Sequence, residues 1–168
     1  SGWGNLRNNQ ITAYDIKLHS IETKEEIVGR ADKLNICIKS SLRELVRDSD
    51  LIFSTVTADQ ATNVARASGQ FLKDGVYFFD LNSCAPSSKQ NSCKSIEANG
   101  GSYIDVAVMA PVYAKKHLVP LIISGDKAFQ AHAILEKLPM DVKIIEGPVG
   151  KASSIKMVRS IFVKGLEA

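Results

Sequence analysis

The stretch EGPVGKASSIKMVRS, Glu146 to Ser160, places two glycines, two lysines and three serines around the start of an apolar helix. Such a set suits either phosphate binding or proton transfer by a lysine. A triphosphate loop of the form GxxxxGK[ST] must wrap the phosphates before its lysine and hydroxyl close on them. Here Ile145 stands where the first glycine belongs and Ala152 follows Lys151, so ATP chemistry is excluded. Lys156 lies one turn into the helix, with Arg159 and Lys164 at helical spacing from it. A lysine partly desolvated beside other cations has its pKa lowered and can take a proton from a hydroxyl. The same side chains also describe a basic, solvent-facing helix, and the residues alone leave both readings open. Gly147 and Gly150 allow a tight turn into this helix, which is predicted to begin near Ser153 with Ser153 or Ser154 as its cap. Lys151 then reads as a loop lysine.

Other chemistry-bearing residues fall at strand ends. Asp15 closes an apolar segment, where a carboxylate can accept hydrogen bonds from ribose hydroxyls or simply start a turn. Asn82 and Ser83 follow the apolar run VYFFDLN, at the carboxyl end where open α/β sheets gather ligands. An Asn-Ser turn ahead of Pro86 accounts for them equally well. His19, His117 and His132 have no ligand spacing, so neither a metal site nor a catalytic triad is expected. Cys84 lies beside the Asn-Ser pair but lacks a clustered histidine and reads as packing.

The elements that must position these residues alternate. Apolar strands are predicted in QITAYDIK (10–17), LNICIKS, LIFSTV, VYFFDLN, SYIDVAVMA, VPLIISGD and VKIIEG. Helices are predicted in IETKEEIVGRADK, SSLRELVRDSD, DQATNVARASGQFL, SSKQNSCKSIEANGG and AFQAHAILEKLP, and in the final segment. Ser40 or Ser41 caps the second of these, with Glu44 placed for a capping box. VYAKKHLVP reads as a connection. The pattern is that of an α/β fold with a mainly parallel sheet covered on both faces.

Composition agrees with that class. The 168 residues are 45% apolar, enough for a sizeable core. Twenty-one basic and eighteen acidic side chains leave +3, without a like-charge run that would serve nucleic acid. Three cysteines without CxxC spacing support neither a disulfide framework nor a zinc ribbon, and a reducing, cytoplasmic setting is expected. No apolar run approaches the roughly 18 residues that span a bilayer, so no membrane partner is expected.

Four blocks in order carry a resemblance: DLNSCAP (80–86), GGSYIDVAVMAPV (100–112), VPLIISGD (119–126) and GPVGKASSIKMVRSIFVKG (147–165). Together they resemble the β-hydroxyacid dehydrogenase superfamily of 3-hydroxyisobutyrate and 6-phosphogluconate dehydrogenases, over nearly the whole chain. The resemblance implies a Rossmann-like, doubly wound fold in which residues 1–150 bind NAD or NADP. Residues 151–168 would start the helix leading to an all-helical domain. It implies oxidation of a small anionic β-hydroxyacid by hydride transfer, with Lys156 as general base, in a protein that acts as a homodimer. Asp15 would take the adenosine ribose and favour NAD, with Lys17 nearby keeping NADP open. Val56, Thr57, Asn82 and Ser83 would line the rest of the cofactor site. Both ends look cut: the glycine loop is expected upstream of Ser1, with SGWGNL as the tail of its helix. The last helix still has an apolar face of Ile155, Val158, Ile161, Phe162 and Leu166 where the sequence stops.

The chain departs from the superfamily where it would bind the substrate carboxylate. Its motif DAPVSGG reads here as Asp105 to Pro111, with Met109 and Ala110 replacing the serine and first glycine. Pro111 has no N–H to donate. An asparagine expected after the lysine is replaced by Ser160, beside Arg159, which can offer a bidentate anion contact. Met109, Ala110, Arg159 and Ser160 are therefore the expected substrate-binding set. A non-catalytic nucleotide-binding module with the same fold is the alternative.

Overall fold

A computed structural model describes residues 11–166. The expected helix tail at SGWGNL lies outside the described residues. The chain forms two compact units, Ser1–Ser49 and Asp50–Ala168.

In the first unit, β1 (Thr12–Ala13) pairs in parallel with β2 (Cys37–Ile38), and α1 (Ile21–Leu34) and α2 (Leu42–Asp48) follow the two strands. The strand expected over 10–17 is much shorter than its apolar pattern suggests. The Asp15 carboxylate accepts the Lys17 N–H at 2.9 Å and turns the chain into a 3₁₀ helix, Ile16–His19. Ser41 is the cap of α2, its hydroxyl accepting the Glu44 N–H at 3.2 Å. Glu44 reaches back to the Ser40 N–H at 3.1 Å, one residue before the position a standard capping box uses.

The second unit is a five-stranded sheet in the order β3 (Leu51–Ser54), β4 (Tyr77–Asp80), β5 (Ser102–Val108), β6 (Leu121–Ser124) and β7 (Val142–Ile144). Helices α3 (Ala61–Gly69), α4 (Pro86–Glu97), α6 (Ala128–Lys137) and α7 (Lys151–Leu166) cover it. All neighbouring strands are parallel except β5 and β6. A parallel crossover needs a packed element long enough to return along the sheet. The 109–120 link holds only the four-residue α5 (Val112–Lys115) and a 3₁₀ turn, Lys116–Leu118, both largely exposed, so β6 comes back antiparallel.

Side chains alternate across each strand, and the two faces of the sheet differ in character. Phe79, Ile104, Val106, Leu121 and Ile123 face one way and pack with Ala128, Ala131 and Leu135 of α6 in an apolar core. The opposite face carries Phe78 stacked on Tyr103 at 5.9 Å, and Ala107 and Ile122 against Ala152 of α7. That second face also bears a polar row: register aligns Ser54 with Asp80, Asp80 with Asp105, and Asp105 with Ser124. All four are buried.

Helices α3 and α4 meet so closely that a Cβ on Gly69 would lie 2.8 Å from the Ser95 carbonyl oxygen, whereas Gly29 on α1 has nothing within 4 Å. Replacing glycine by alanine gains about 1 kcal/mol of helix propensity. Overpacking a rigid backbone contact costs about 1–3 kcal/mol. Gly69→Ala is therefore expected to lower the urea midpoint and Gly29→Ala to raise it, and midpoints moving together would refute the packing argument.

Candidate active site

The site begins with the way α7 starts. Gly150 enters it at φ +98, a backbone conformation that glycine tolerates, and an added Cβ would lie 3.1 Å from Pro86 Cβ at the head of α4. The first N–H groups of α7 are taken by the sheet. Asp105 Oδ2 accepts from the Gly150 N–H at 3.0 Å and the Ser153 N–H at 3.1 Å, and its Oδ1 accepts the Ser153 hydroxyl at 2.6 Å. Ser124 Oγ accepts the Ala152 N–H at 3.0 Å and donates to Asp105 at 3.1 Å. The expectation that Ser153 or Ser154 caps the helix is corrected. Ser153 donates to Asp105, and Ser154 donates its hydroxyl to the Gly150 carbonyl at 2.7 Å. With a carboxylate from β5 as cap, the helix starts at Lys151 rather than near Ser153. Lys151 is thus the exposed first residue of a helix, not a loop lysine.

Asp80, the neighbour of Asp105 in the polar row, organises the turn after β4. Its Oδ1 accepts the Asn82 backbone N–H at 2.9 Å and the Asn82 side-chain amide at 2.7 Å. Its Oδ2 accepts the Tyr103 hydroxyl. Asn82 also donates to Ser54 Oγ at 3.0 Å and is buried, so it braces the turn from within while Ser83 emerges exposed. Burial, reinforced by Asp80, pushes the Tyr103 phenol far up, which keeps it a neutral donor. Asn82 Oδ1 is left without a hydrogen-bond partner.

One turn into α7, the Lys156 ammonium donates to Ser83 Oγ at 2.8 Å, across 73 residues of sequence. Burial, then repulsion by Lys89, lowers its pKa from the ordinary lysine value. Arg159 and Lys164, expected to depress it, are not among the causes. Both are exposed, where water screens them. Arg159 Nη1 donates to the Met109 carbonyl oxygen at the end of β5. Lys156, Ser83, Asn82, Met109 and Arg159 therefore come together where β4 and β5 end. Ala110 is half-buried beside Met109, and Ser160 is exposed on α7. Val56 and Thr57 are exposed in the loop after β3. Asp15 belongs to the first unit, half-buried, with Oδ1 engaged by Lys17. Burial raises the Cys84 thiol, and Cys93 is pushed up to about 12, so neither is a ready nucleophile.

Sequence reading missed Asp80, Asp105 and Lys89 as parts of this arrangement. A usable signal existed: LIFS, YFFD and LIIS are apolar strands that each close on a Ser or Asp, and SYID carries its Asp in register with them. A small polar residue at the same level of four adjacent strands marks a buried polar layer.

The fold is that of a Rossmann-like α/β protein, with polar side chains gathered where β4 and β5 end. Residues 5–145 match the family described as the NAD binding domain of 6-phosphogluconate dehydrogenase. An uncharacterized 28.5 kDa protein in the 7S RNA 5' region of Methanothermus fervidus is 34% identical over 138 residues, covering 82% of this chain and 52% of that protein. A conserved hypothetical protein from Sinorhizobium meliloti 1021 has a similar structure, with 29% identity and a TM-score of 0.90 over 99% of this chain and 55% of that one. A conserved protein of unknown function, described as structurally similar to 3-hydroxyacid dehydrogenases, gives 24% identity and a TM-score of 0.79 over 96% of this chain and 58% of that one. The chain belongs to the 6-phosphogluconate dehydrogenase NAD-binding family, within the β-hydroxyacid dehydrogenase superfamily. It spans about half the length of the relatives it matches.

Asp105→Asn tests how the site is built. The substitution removes the charge and turns an acceptor toward donors. It leaves α7 poorly capped and Lys89 with one carboxylate instead of two. Removing one member of a buried ionic set costs about 3–5 kcal/mol. Urea denaturation is expected to show that loss at unchanged m-value, and a loss under about 1 kcal/mol would count against the capping role.

Proposed function

We propose that this chain is the cofactor-binding, lysine-bearing part of an NAD(P)-dependent β-hydroxyacid dehydrogenase. Within this reading residues 1–150 hold the cofactor, and residues 151–168 begin the helix to a further domain. The whole protein works as a homodimer in the cytoplasm. The observation that carries the reading is the Lys156 amine, half-buried, with a lowered pKa, and 2.8 Å from a hydroxyl at the ends of the parallel strands.

The residues suit a nicotinamide cofactor. Asp15 at the end of β1 offers a carboxylate of the kind that receives ribose hydroxyls and repels a 2′-phosphate, which favours NAD. Val56 and Thr57, exposed in the loop after β3, are further cofactor-binding candidates. The exposed Ser83 hydroxyl supplies a polar group of the type a carboxamide pairs with, and Asn82, buried beneath it, serves the cofactor site by holding the turn that presents Ser83. When bound, the nicotinamide supplies the acceptor for the hydride that leaves the substrate's carbinol carbon.

The chain's own residues handle the proton and the charge. Lys156, as the free amine, takes the hydroxyl proton as the carbon–oxygen double bond forms, and Ser83 holds that amine in place. Arg159, tethered to the Met109 carbonyl, faces an anionic substrate with its remaining donors and substitutes for the lost serine and glycine of the superfamily motif. Met109, Ala110 and Ser160 shape the wall around it.

A positioned general base contributes about 10²–10⁴-fold. In the full-length protein, Lys156→Met is expected to lower kcat by that factor on 3-hydroxy acids while cofactor binding persists, measured by absorbance and by cofactor titration. Cofactor binding with no turnover by the unaltered protein would favour the non-catalytic module. A proton on the Lys156 amine blocks the step, so turnover should rise with pH as that amine deprotonates. The midpoint should fall below the ordinary lysine range because burial disfavours the ammonium. A profile flat through this rise would remove Lys156 as the base. Asp15→Ser should move the kcat/KM preference from NAD toward NADP, and an unchanged ratio would remove Asp15 from cofactor selection.

A further inference from the structure

Lys89 is a fully buried lysine, with none of its side chain exposed, and no step of the proposed reaction uses it. Its ammonium donates to the Asp80 carbonyl oxygen at 2.7 Å and lies 3.0 Å from Asp80 Oδ1 and 3.6 Å from Asp105 Oδ1. Burying such a group costs several kcal/mol that an apolar side chain of similar size would avoid, so stability alone does not explain it. Geometry does. Asp80 sets the turn that presents Ser83, and Asp105 sets the start of the helix that presents Lys156. These are the two walls bridged by the 2.8 Å contact between Lys156 and Ser83. Among the described residues, Lys89 is the one ammonium that pairs with both carboxylates. Without it, two buried carboxylates on adjacent strands would face each other with no counter-ion and repel.

We propose that Lys89 is a positioning residue for the reaction, the shared counter-ion through which Asp80 and Asp105 hold Ser83 and Lys156 in register across the crevice. This rests on reading Lys156 as the base. Among groups on elements packed against α7, the buried titratable ones are Lys89 on α4 and Tyr103 and Asp105 on β5. Strand β6 has none, and Lys151, Arg159 and Lys164 of α7 itself are exposed. The Lys89 charge repels the Lys156 ammonium, in keeping with the lowered Lys156 pKa.

The test compares full-length wild type with Lys89→Met. A charge-balanced Lys89→Met/Asp80→Asn variant serves should the single change fail to fold. Lysine side-chain NMR follows the Lys156 amine through its titration, and steady-state kinetics with NAD+ or NADP+ and a panel of 3-hydroxy acids follows turnover. In a folded variant the Lys156 midpoint should move up toward ordinary lysine, and kcat should fall at least about tenfold with the cofactor KM unchanged. A folded variant that is less stable but keeps the wild-type Lys156 titration and kcat would show that Lys89 is structural only and overturn the proposal. If wild type itself turns over no 3-hydroxy acid, the dehydrogenase reading fails. The NMR arm then still decides the role of Lys89.

Discussion

Most of the described chemistry depends on one carboxylate, Asp105, seated against the first N–H groups of α7. A helix begins with four donors that lack intrahelical partners, and its N-terminus carries about half a positive charge. Hydrogen bonds to a charged acceptor contribute about 1.5–3 kcal/mol each. Asp105 accepts two from backbone N–H groups and two from the Ser153 and Ser124 hydroxyls, a set that can offset the burial of its charge. The glycine turn at 147–150 resembles a phosphate loop because it solves the same problem, seating an anion at a helix N-terminus. Here the anion belongs to the protein. Since Lys156 lies one turn beyond the capped end, anchoring that end fixes where its amine can reach.

The two faces of the sheet divide the labour accordingly. The face toward α6 is apolar, from Phe79 through Ile123 to Leu135, and supplies cohesion without directional demands. The face toward α4 and α7 carries the row Ser54, Asp80, Asp105 and Ser124, whose hydrogen bonds are directional and tolerate little displacement. An apolar layer can slide by a fraction of an ångström at small cost, whereas a buried carboxylate that loses a donor is left with an uncompensated charge. A reaction that needs an amine held near a hydroxyl is better served by the second kind of layer. That layer is also where the site residues converge.

Much of this was legible in the sequence, and the remainder has a common cause. The strands LIFS, YFFD and YIDVAV and the helices between them follow from apolar runs and periodicity, which are local. The Ser41–Glu44 cap is likewise written within four residues. What was misread lies far apart in sequence. The cap of α7 comes from a residue 48 positions before Ser153, while Ser153 and Ser154 looked like sufficient caps by themselves. Lys89 sits in the polar segment SSKQNSCKS, whose composition signals exposure, although its position directs it beneath the sheet. Burial of Lys156 is part of the sequence expectation, but the cation that repels it is a lysine from another helix rather than Arg159 or Lys164 of its own. Periodicity reports which side of an element is apolar, not what a neighbouring strand places opposite it.

The departure at Met109–Pro111 fits the same logic. A serine and glycines bind a carboxylate with donors fixed to the backbone, and Pro111 removes one such donor outright. A guanidinium carries five donors in a planar fork, but a long exposed side chain loses about 2 kcal/mol of rotamer entropy when held in one geometry. Under the role proposed for Arg159, its tether to the Met109 carbonyl would let the free protein meet part of that loss before any substrate arrives. The carbonyl that anchors the tether directly follows β5, four residues beyond Asp105, so the fork and the Lys156 amine are referred to one strand and one helix. On the proposed reading, an anion clamp built this way would take its precision from the capped helix rather than from the loop at Met109–Pro111.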